Sequence, residues 1–143
     1  MIVSTKGRYA LRVMVDLAEH HNEERIPLKE VAERQQISQK YIEAIMTLLS
    51  KNGLVNGVHG KGGGYKLSRK PEDYKVGEIL RVTEGTLAPV SCLECGAAPC
   101  PKKERCRTLP MWEKLDTLIT NFFDNITIAD LCNKNCPDEC AYL

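Results

Sequence analysis

The strongest constraint on the fold is a pair of short amphipathic segments followed directly by a glycine-rich stretch. Residues 28–36 repeat apolar side chains at helical spacing after Pro27, and a second helical segment begins at Ser38 and stops at Gly53. About three residues separate the two segments, which is typical of a helix-turn-helix. Residues 54–69 then alternate apolar and polar side chains beside a run of glycines, which predicts a β-hairpin. The combination predicts a winged helix-turn-helix.

Three further apolar patterns make the predicted fold mainly α. Residues 9–21 and 74–84 carry apolar side chains at helical spacing. A longer helix from Met111 contains the single tryptophan and both phenylalanines, yet it lies outside the compact winged part. We therefore expect its apolar face to bury against a partner subunit. The segment ITIADL at 126–131 and the tail after it show no sign of a contribution to the core.

Basic side chains are concentrated in the helix-turn-helix and the hairpin. The whole chain of 143 residues has 20 basic and 19 acidic side chains, whereas residues 34–70 have seven basic side chains and one acid, a net charge of +6. Lys and Arg neutralise phosphates, so this segment predicts binding to a double-stranded DNA operator. The alternative is that these are ordinary solvated faces. The seven basic residues are Arg34, Lys40, Lys51, Lys61, Lys66, Arg69 and Lys70.

The predicted DNA contacts lie at the start of the second helix of the pair and at the hairpin tip. A lysine there can donate to guanine O6 and N7 or to phosphate, and the Tyr41 hydroxyl can donate to phosphate. Glu43 either accepts a hydrogen bond from cytosine N4 and rejects wrong sites, or pairs with Lys40 or Lys51. The full predicted set is Lys6, Arg8, Ser38, Gln39, Lys40, Tyr41, Glu43, His59, Gly60 and Lys61.

The chain has seven cysteines, and neither a signal peptide nor a membrane span is apparent in its sequence. We therefore expect a cytoplasmic protein without membrane contact, in which thiols act as metal ligands or redox groups. Four cysteines share one loop and are separated by two, four and five residues, which fits an iron–sulfur cluster better than a zinc ribbon. Free cysteines are the alternative. The loop has Cys92, Cys95, Cys100 and Cys106; Cys132, Cys136 and Cys140 lie in the tail and are expected to be separate.

Four stretches resemble one family. They are STKGRYALRVM, the segment from Pro27 through QQISQKYIE, KNGLV, and GKGGGYKLSR. Over essentially residues 1–131, the chain is similar to the winged-helix regulators that include IscR, NsrR and CymR. The resemblance implies a homodimeric DNA-binding transcription factor, often a repressor. It also implies that the long C-terminal helix forms the dimer and that the cysteine loop can carry an iron–sulfur cluster.

The resemblance also implies which cysteines hold the cluster. The family places its last cluster cysteine six residues before a tryptophan, as Cys106 stands before Trp112. The implied ligands are Cys92, Cys100 and Cys106, with Cys95 as a candidate fourth ligand. The IscR branch commonly adds a histidine where this chain has Leu109, and the NsrR branch can use an aspartate near Arg8. We expect a two-iron two-sulfur cluster rather than a four-iron four-sulfur one.

These patterns divide the chain into four predicted parts. They are a winged helix-turn-helix at 1–85, a cysteine-rich cluster loop at 86–108, a dimerisation helix with its following turn at 109–131, and a tail at 132–143. The predicted function is a transcriptional regulator whose operator affinity responds to the cluster, and the family resemblance implies a repressor. A cluster-free thiol or cysteine-metabolism regulator of the same fold is the alternative. An enzyme with a small-molecule substrate is disfavoured, because no Cys, His and Asp arrangement typical of catalysis is present.

Overall fold

The computed structural model describes residues 3–21 and 24–134, and this part of the chain contains six α-helices and a two-stranded hairpin. None of its helices has the length and hydropathy of a membrane span. The mainly α winged helix-turn-helix is confirmed. The elements are α1 Thr5–Glu19, α2 Leu28–Gln35, α3 Gln39–Lys51, β1 Val55–Val58, β2 Gly64–Leu67, α4 Val76–Glu84, α5 Leu109–Asp124 and α6 Ile128–Cys132.

The helices of the winged helix-turn-helix begin and end at local sequence signals. The Ser4 side chain accepts a hydrogen bond from the Gly7 N–H and caps α1, and Ser38 accepts one from the Tyr41 N–H and caps α3. After α3, Gly53 adopts a left-handed φ of 71°, which a residue with a side chain rarely does. Serine caps and a glycine stop therefore fix where the second helix of the pair lies.

Strands β1 and β2 form an antiparallel hairpin, called the wing below together with its tip. The register pairs Val55 with Leu67 and Val58 with Gly64. At the tip, Gly60 has a φ of 98°, so the turn needs glycine there. The predicted hairpin is thus present with the predicted tip.

Helix α1 and Tyr74 both contribute buried side chains to the main core. The Tyr74 side chain is fully buried, and its hydroxyl donates to the Leu54 carbonyl at 2.6 Å while accepting from the backbone N–H groups of Ser68 and Arg69, each at 2.9 Å. Through these hydrogen bonds, the Tyr74 hydroxyl links the residues that flank the hairpin to the segment before α4. The core residues of α1 and α3 are Ala10, Val13, Met14, Leu17, Ala18, Ile42, Ile45, Met46 and Leu49.

The chain returns to the core after α5. Ile126 and Ile128 are 4% and 0% exposed. The Val76 N–H donates to the Ile126 carbonyl at 2.9 Å, and the Ile128 N–H donates to the Tyr74 carbonyl at 3.1 Å. The expectation that residues from 126 onward add nothing to the core is therefore wrong. Two isoleucines before and inside a five-residue helix are too few to give a periodic signal.

Helix α5 stands apart from this core along much of its length. None of its 16 residues is buried. Met111, Leu115 and Leu118 are 53%, 37% and 39% exposed and follow one another at spacings of four and three, so they form one apolar stripe. Toward the end of the helix, half-buried Ile119, Phe122 and Phe123 pack on a second apolar cluster that includes Val76 and Leu80.

Candidate DNA interface and cysteine site

The predicted contact residues of α3 and the wing tip line or flank one groove. This groove has a volume of about 590 Å³, and its walls include Gln39, Glu43 and Thr47 from α3 and Val58 and His59 from the wing. The side chains at the start of α3 and at the wing tip are exposed. The fold therefore brings two separate sequence segments together on one surface, and their roles as DNA contacts stay predictions.

Tyr41 is more exposed than its place in the apolar pattern of α3 suggests. It is 37% exposed, and its ring meets the Tyr9 ring edge-on with 5.6 Å between centroids. The Arg12 guanidinium lies 5.3 Å from the Tyr9 ring centroid and also donates to the side chain and the carbonyl of Gln35. Two α1 residues that the sequence reading missed, Tyr9 and Arg12, thus support the start of α3 and the end of α2.

A buried carboxylate joins α1 to α2. Asp16 is 2% exposed, and the Arg34 guanidinium donates to its two oxygens at 2.7 and 3.1 Å. The Gln35 amide donates to the same carboxylate at 2.8 Å. Since Arg34 also pairs with Glu30 at 3.5 Å, its charge is compensated. Arg34 is therefore part of the scaffold rather than of a free basic surface.

The free positive charge of the interface comes from lysines. Arg69 pairs with Glu78 at 2.7 Å, so it too has a carboxylate partner outside residues 34–70. The net charge of +6 counted over residues 34–70 therefore overstates the positive charge that is available to DNA phosphates. Within the described part of the chain, the lysines of the segment form no ion pair; they are Lys40, Lys51, Lys61, Lys66 and Lys70.

Glu43 does not make the salt bridge that was one of its two predicted roles. Neither Lys40 nor Lys51 pairs with its carboxylate, although all three side chains belong to the described residues. The carboxylate instead lines the groove. At the other predicted contact, Lys6 and Arg8 are exposed on the first turns of α1, and Arg8 donates to the Thr5 hydroxyl at 3.2 Å.

Three of the four loop cysteines line one cavity. This cavity, called the cysteine cavity below, has a volume of about 250 Å³, and Leu93 and Leu109 contribute to its apolar walls. Its cysteines are Cys92, Cys100 and Cys106. Cys95 is exposed and is not among the lining residues, so its role as a fourth ligand stays a prediction. Among the described residues, no three metal-binding side chains already converge on a common point.

The donor set of the cysteine cavity fits an iron–sulfur cluster in chemical type. Such clusters are held chiefly by Cys thiolates, and three thiols face one small, largely apolar space. Hydrogen bonding to the Thr108 hydroxyl, 3.4 Å from Sγ, and to the backbone of Thr108 and Leu109 lowers the pKa of the Cys106 thiol. A lowered pKa favours the thiolate that metals bind. The remaining polar side chain of the lining is Lys103, whose ammonium has no lone pair to give a metal.

Cys132 lies in a different environment. It packs against the main core from α6, and its Sγ is 3.9 Å from the Val15 carbonyl of α1. Burial, together with the nearby Glu19 carboxylate, raises the pKa of this thiol. Cys132 does not line the cysteine cavity. The other two tail cysteines, Cys136 and Cys140, lie outside the described residues.

Known proteins resemble both the sequence and the fold. The family model described as Rrf2, iron-dependent transcriptional regulator, matches residues 3–134. The HTH-type transcriptional regulator IscR of Erwinia tasmaniensis is 39% identical over 134 residues, which cover 94% of this chain and 80% of that protein.

Two solved structures show the same likeness. The structure of T. potens IscR is 37% identical with a TM-score of 0.73, over 100% of this chain and 97% of that one. The structure of CymR, the global cysteine regulator of B. subtilis, is 32% identical with a TM-score of 0.76, over 94% of this chain and 98% of that one.

Proposed function

Because this chain belongs to the Rrf2 family, we propose that it binds its operator as a homodimer, with an affinity that depends on an iron–sulfur cluster held by Cys92, Cys100 and Cys106. Membership makes it a transcriptional regulator similar to IscR, and not an enzyme. The observation that carries the proposal is the place of the cysteine cavity in the chain, between α4 of the winged part and α5 with its apolar stripe.

The exposed lysines and the groove support DNA binding. Lys40 stands at the start of α3 and Lys61 at the wing tip, and neither has a carboxylate partner among the described residues that would compete with phosphate. Each phosphate contact adds a released counterion to the salt dependence of binding. These two lysines are therefore the first residues to test.

The test begins with selection of operators from randomised duplexes by the wild-type protein. Lys40→Ala and Lys61→Ala should each weaken binding to the selected operator and reduce the slope of log affinity against log salt by about 1. Lys114→Ala, an exposed lysine of α5, is the control and should leave the slope unchanged. An unchanged slope in both interface variants would contradict DNA binding through this surface.

The cysteine loop has no buried residue after Leu87, which supports a cluster as the group that fixes its conformation. Its helical structure is limited to 3₁₀ turns at Ser91–Leu93 and Lys103–Arg105. A bound cluster would supply an iron- and redox-dependent crosslink among the three thiols. Cys106 lies just before Leu109, where α5 begins, so holding Cys92 and Cys106 together fixes where that helix starts.

Anaerobic purification with iron and sulfide counts tests the ligand set. Cys92→Ala, Cys100→Ala and Cys106→Ala should each lose iron and visible absorption, and a count near two irons per chain would agree with the two-iron form. Cys95→Ala is the deciding variant: full retention of iron removes Cys95 as the fourth ligand, and loss of iron establishes it. Operator affinity should then differ about tenfold or more between loaded and metal-free protein. Identical affinities would contradict the proposal.

A cluster-free thiol regulator is the second candidate. It is favoured by the likeness to B. subtilis CymR and by the absence of any disulfide among the described cysteines, which leaves exposed thiols for oxidation. Mild peroxide should then change the operator affinity of metal-free protein. Failure to take up iron, together with such a change, would favour this candidate over the first.

We also propose that the protein acts in the cytoplasm and that operator occupancy represses transcription. Family resemblance supports both points. In transcription reactions on a template with the selected operator, added protein should lower the transcript yield. A rise in yield would identify an activator instead.

A further inference from the structure

The attachment of α5 to the winged part is concentrated at one end of the helix. The apolar contacts of α5 with the cluster around Val76 and Leu80 come from Ile119, Phe122 and Phe123. Nearer its start, Met111 and Leu115 are exposed, and no residue there is buried. The direction in which α5 leaves the winged part therefore depends on contacts at its last turns.

An ion pair lies at that end. Arg81 of α4 donates from its two terminal nitrogens to the two carboxylate oxygens of Asp124, at 2.7 and 3.0 Å. A bidentate pair of this kind restricts orientation as well as distance. Gly77, one turn before Arg81 on α4, faces the same carboxylate, and a Cβ at this position would collide with it. The absence of a side chain at Gly77 lets the pair form.

We infer that Arg81 and Asp124 are positioning residues that set the preferred spacing between DNA half-sites. This inference rests on the proposed function, in which α5 forms the homodimer and α3 reads DNA. In a dimeric helix-turn-helix protein, the separation of the two recognition helices must match the half-site spacing. The ion pair joins the helix that carries the proposed dimer contacts to the unit that carries α3.

Because α5 is long, a small change in angle at the ion pair produces a large displacement at the far end of the helix. With 16 residues, α5 is about 24 Å long at 1.5 Å per residue. A tilt of about 10° at Asp124 moves the far end of the helix by about 4 Å, which exceeds the rise of about 3.4 Å between base pairs. A small change in angle at the ion pair is therefore enough to shift the register by one base pair.

The chain contains a matched control for the ion pair. Arg69 and Glu78 also pair at 2.7 Å, and their side chains are 37% and 40% exposed, against 40% and 38% for Arg81 and Asp124. Arg69 and Glu78 both lie within residues 1–85, so their pair does not involve α5. Removing the acid of each pair separates a loss of spacing preference from the general effect of losing an exposed ion pair.

The experiment uses the full chain and the operator selected by the wild-type protein. Duplexes with the half-sites moved apart or together by one and two base pairs compete for protein, at concentrations where sedimentation shows dimers. A single half-site measures recognition alone. Asp124→Ala removes the carboxylate, and Gly77→Ala keeps both charges but displaces the carboxylate. Glu78→Ala is the control.

An exposed ion pair shifts an equilibrium by up to about fivefold, so both test variants should reduce the wild-type preference for the best spacing by about three- to fivefold. Their affinity for the single half-site should stay within about twofold of wild type. Full spacing preference in either test variant, or an equal loss in Glu78→Ala, would overturn the inference. If the wild-type protein prefers no paired half-sites at all, the proposed function itself fails, which is a different result.

Discussion

At the residue scale, Asp16 shows how one carboxylate arranges the helix-turn-helix. It lies on the buried face of α1 and accepts hydrogen bonds from Arg34 and Gln35 of α2. Both of these hydrogen-bond donors come from the helix that packs beside α1, so side chains as well as apolar contacts fix the orientation of α2 relative to α1. Since α3 follows α2 after a short turn, the contacts of Asp16 with α2 also influence where α3 starts.

Asp16→Ala should lower the free energy of unfolding by about 2 to 3 kcal/mol, because it removes the buried acceptor that the Arg34 guanidinium and the Gln35 amide share. Lys29→Ala is the control. It removes an ion pair with Glu33 that spans 4.0 Å between side chains 76% and 67% exposed, and should cost less than about 0.5 kcal/mol. Urea unfolding measures the stability of both variants. Equal losses would show that the buried network stabilises the protein no more than an exposed ion pair does.

Individual residues were predictable where their partners are local. The Ser4 and Ser38 caps are examples, because each serine accepts from a backbone N–H three residues later in the sequence. Arg34 was placed on the basic surface because its acceptor, Asp16, is 18 residues away in sequence. A signal was available, since Asp16 stands three residues after Val13 on the apolar face of α1, where a charge needs a partner.

At the element scale, α6 shows that the folded unit extends beyond the end of α5. Its Ile128 side chain is fully buried in the same cluster as α1 and α3. The Thr127 side chain caps the helix by accepting from the Asp130 N–H, and the Asp130 carboxylate accepts from the Thr127 N–H. A helix of five residues thus has a defined start and a defined place.

Ile128→Ala should destabilise the protein by about 2 to 4 kcal/mol, and Ile128→Val by about 1 kcal/mol, as expected for a core residue. Val58→Ala, at a wing position that is 45% exposed, is the matched apolar deletion and should cost less than about 0.5 kcal/mol. Thermal and urea unfolding provide the comparison. A loss below about 0.5 kcal/mol in Ile128→Ala would mean that α6 is not part of the cooperative unit.

Elements of eight residues or more could be predicted from periodicity, capping residues and glycines, as the first three helices and α4 were. Helix α6 could not, because it has fewer than two turns and its burial depends on residues of α1 far away in sequence. The full burial of Tyr74 was likewise not predictable, since its hydrogen-bond partners Leu54, Ser68 and Arg69 lie just outside the two strands of the hairpin.

At the scale of the whole molecule, the exposed apolar stripe of α5 is the proposed contact surface of the homodimer. Leu115 and Leu118 are exposed in the single chain, whereas neighbouring Thr117 has its hydroxyl bonded to the Glu113 carbonyl on the polar side. The stripe was predictable from its spacing. The contact that orients α5 was not, because Arg81 and Asp124 are 43 residues apart.

If the proposed homodimer forms through this stripe, Leu118→Glu should raise its dissociation constant at least about thirtyfold, because each subunit would bury a charge at the interface. Thr117→Glu adds the same charge on the adjacent polar face and should leave the constant within about threefold. Sedimentation velocity over a range of concentrations measures both variants. A dimer unchanged by Leu118→Glu would place the interface elsewhere.

The backbone bonds that join Tyr74 and Val76 to Ile126 and Ile128 have one more consequence. They close the segment between them into a loop whose two ends are fixed on the core, whatever its middle contains. Doubling the length of a flexible loop costs only about 0.6 kcal/mol, so insertion of one or two residues among the cysteines costs far less. The number and spacing of thiols can therefore change during evolution while α3 and the wing, the proposed DNA-binding surface, keep their positions.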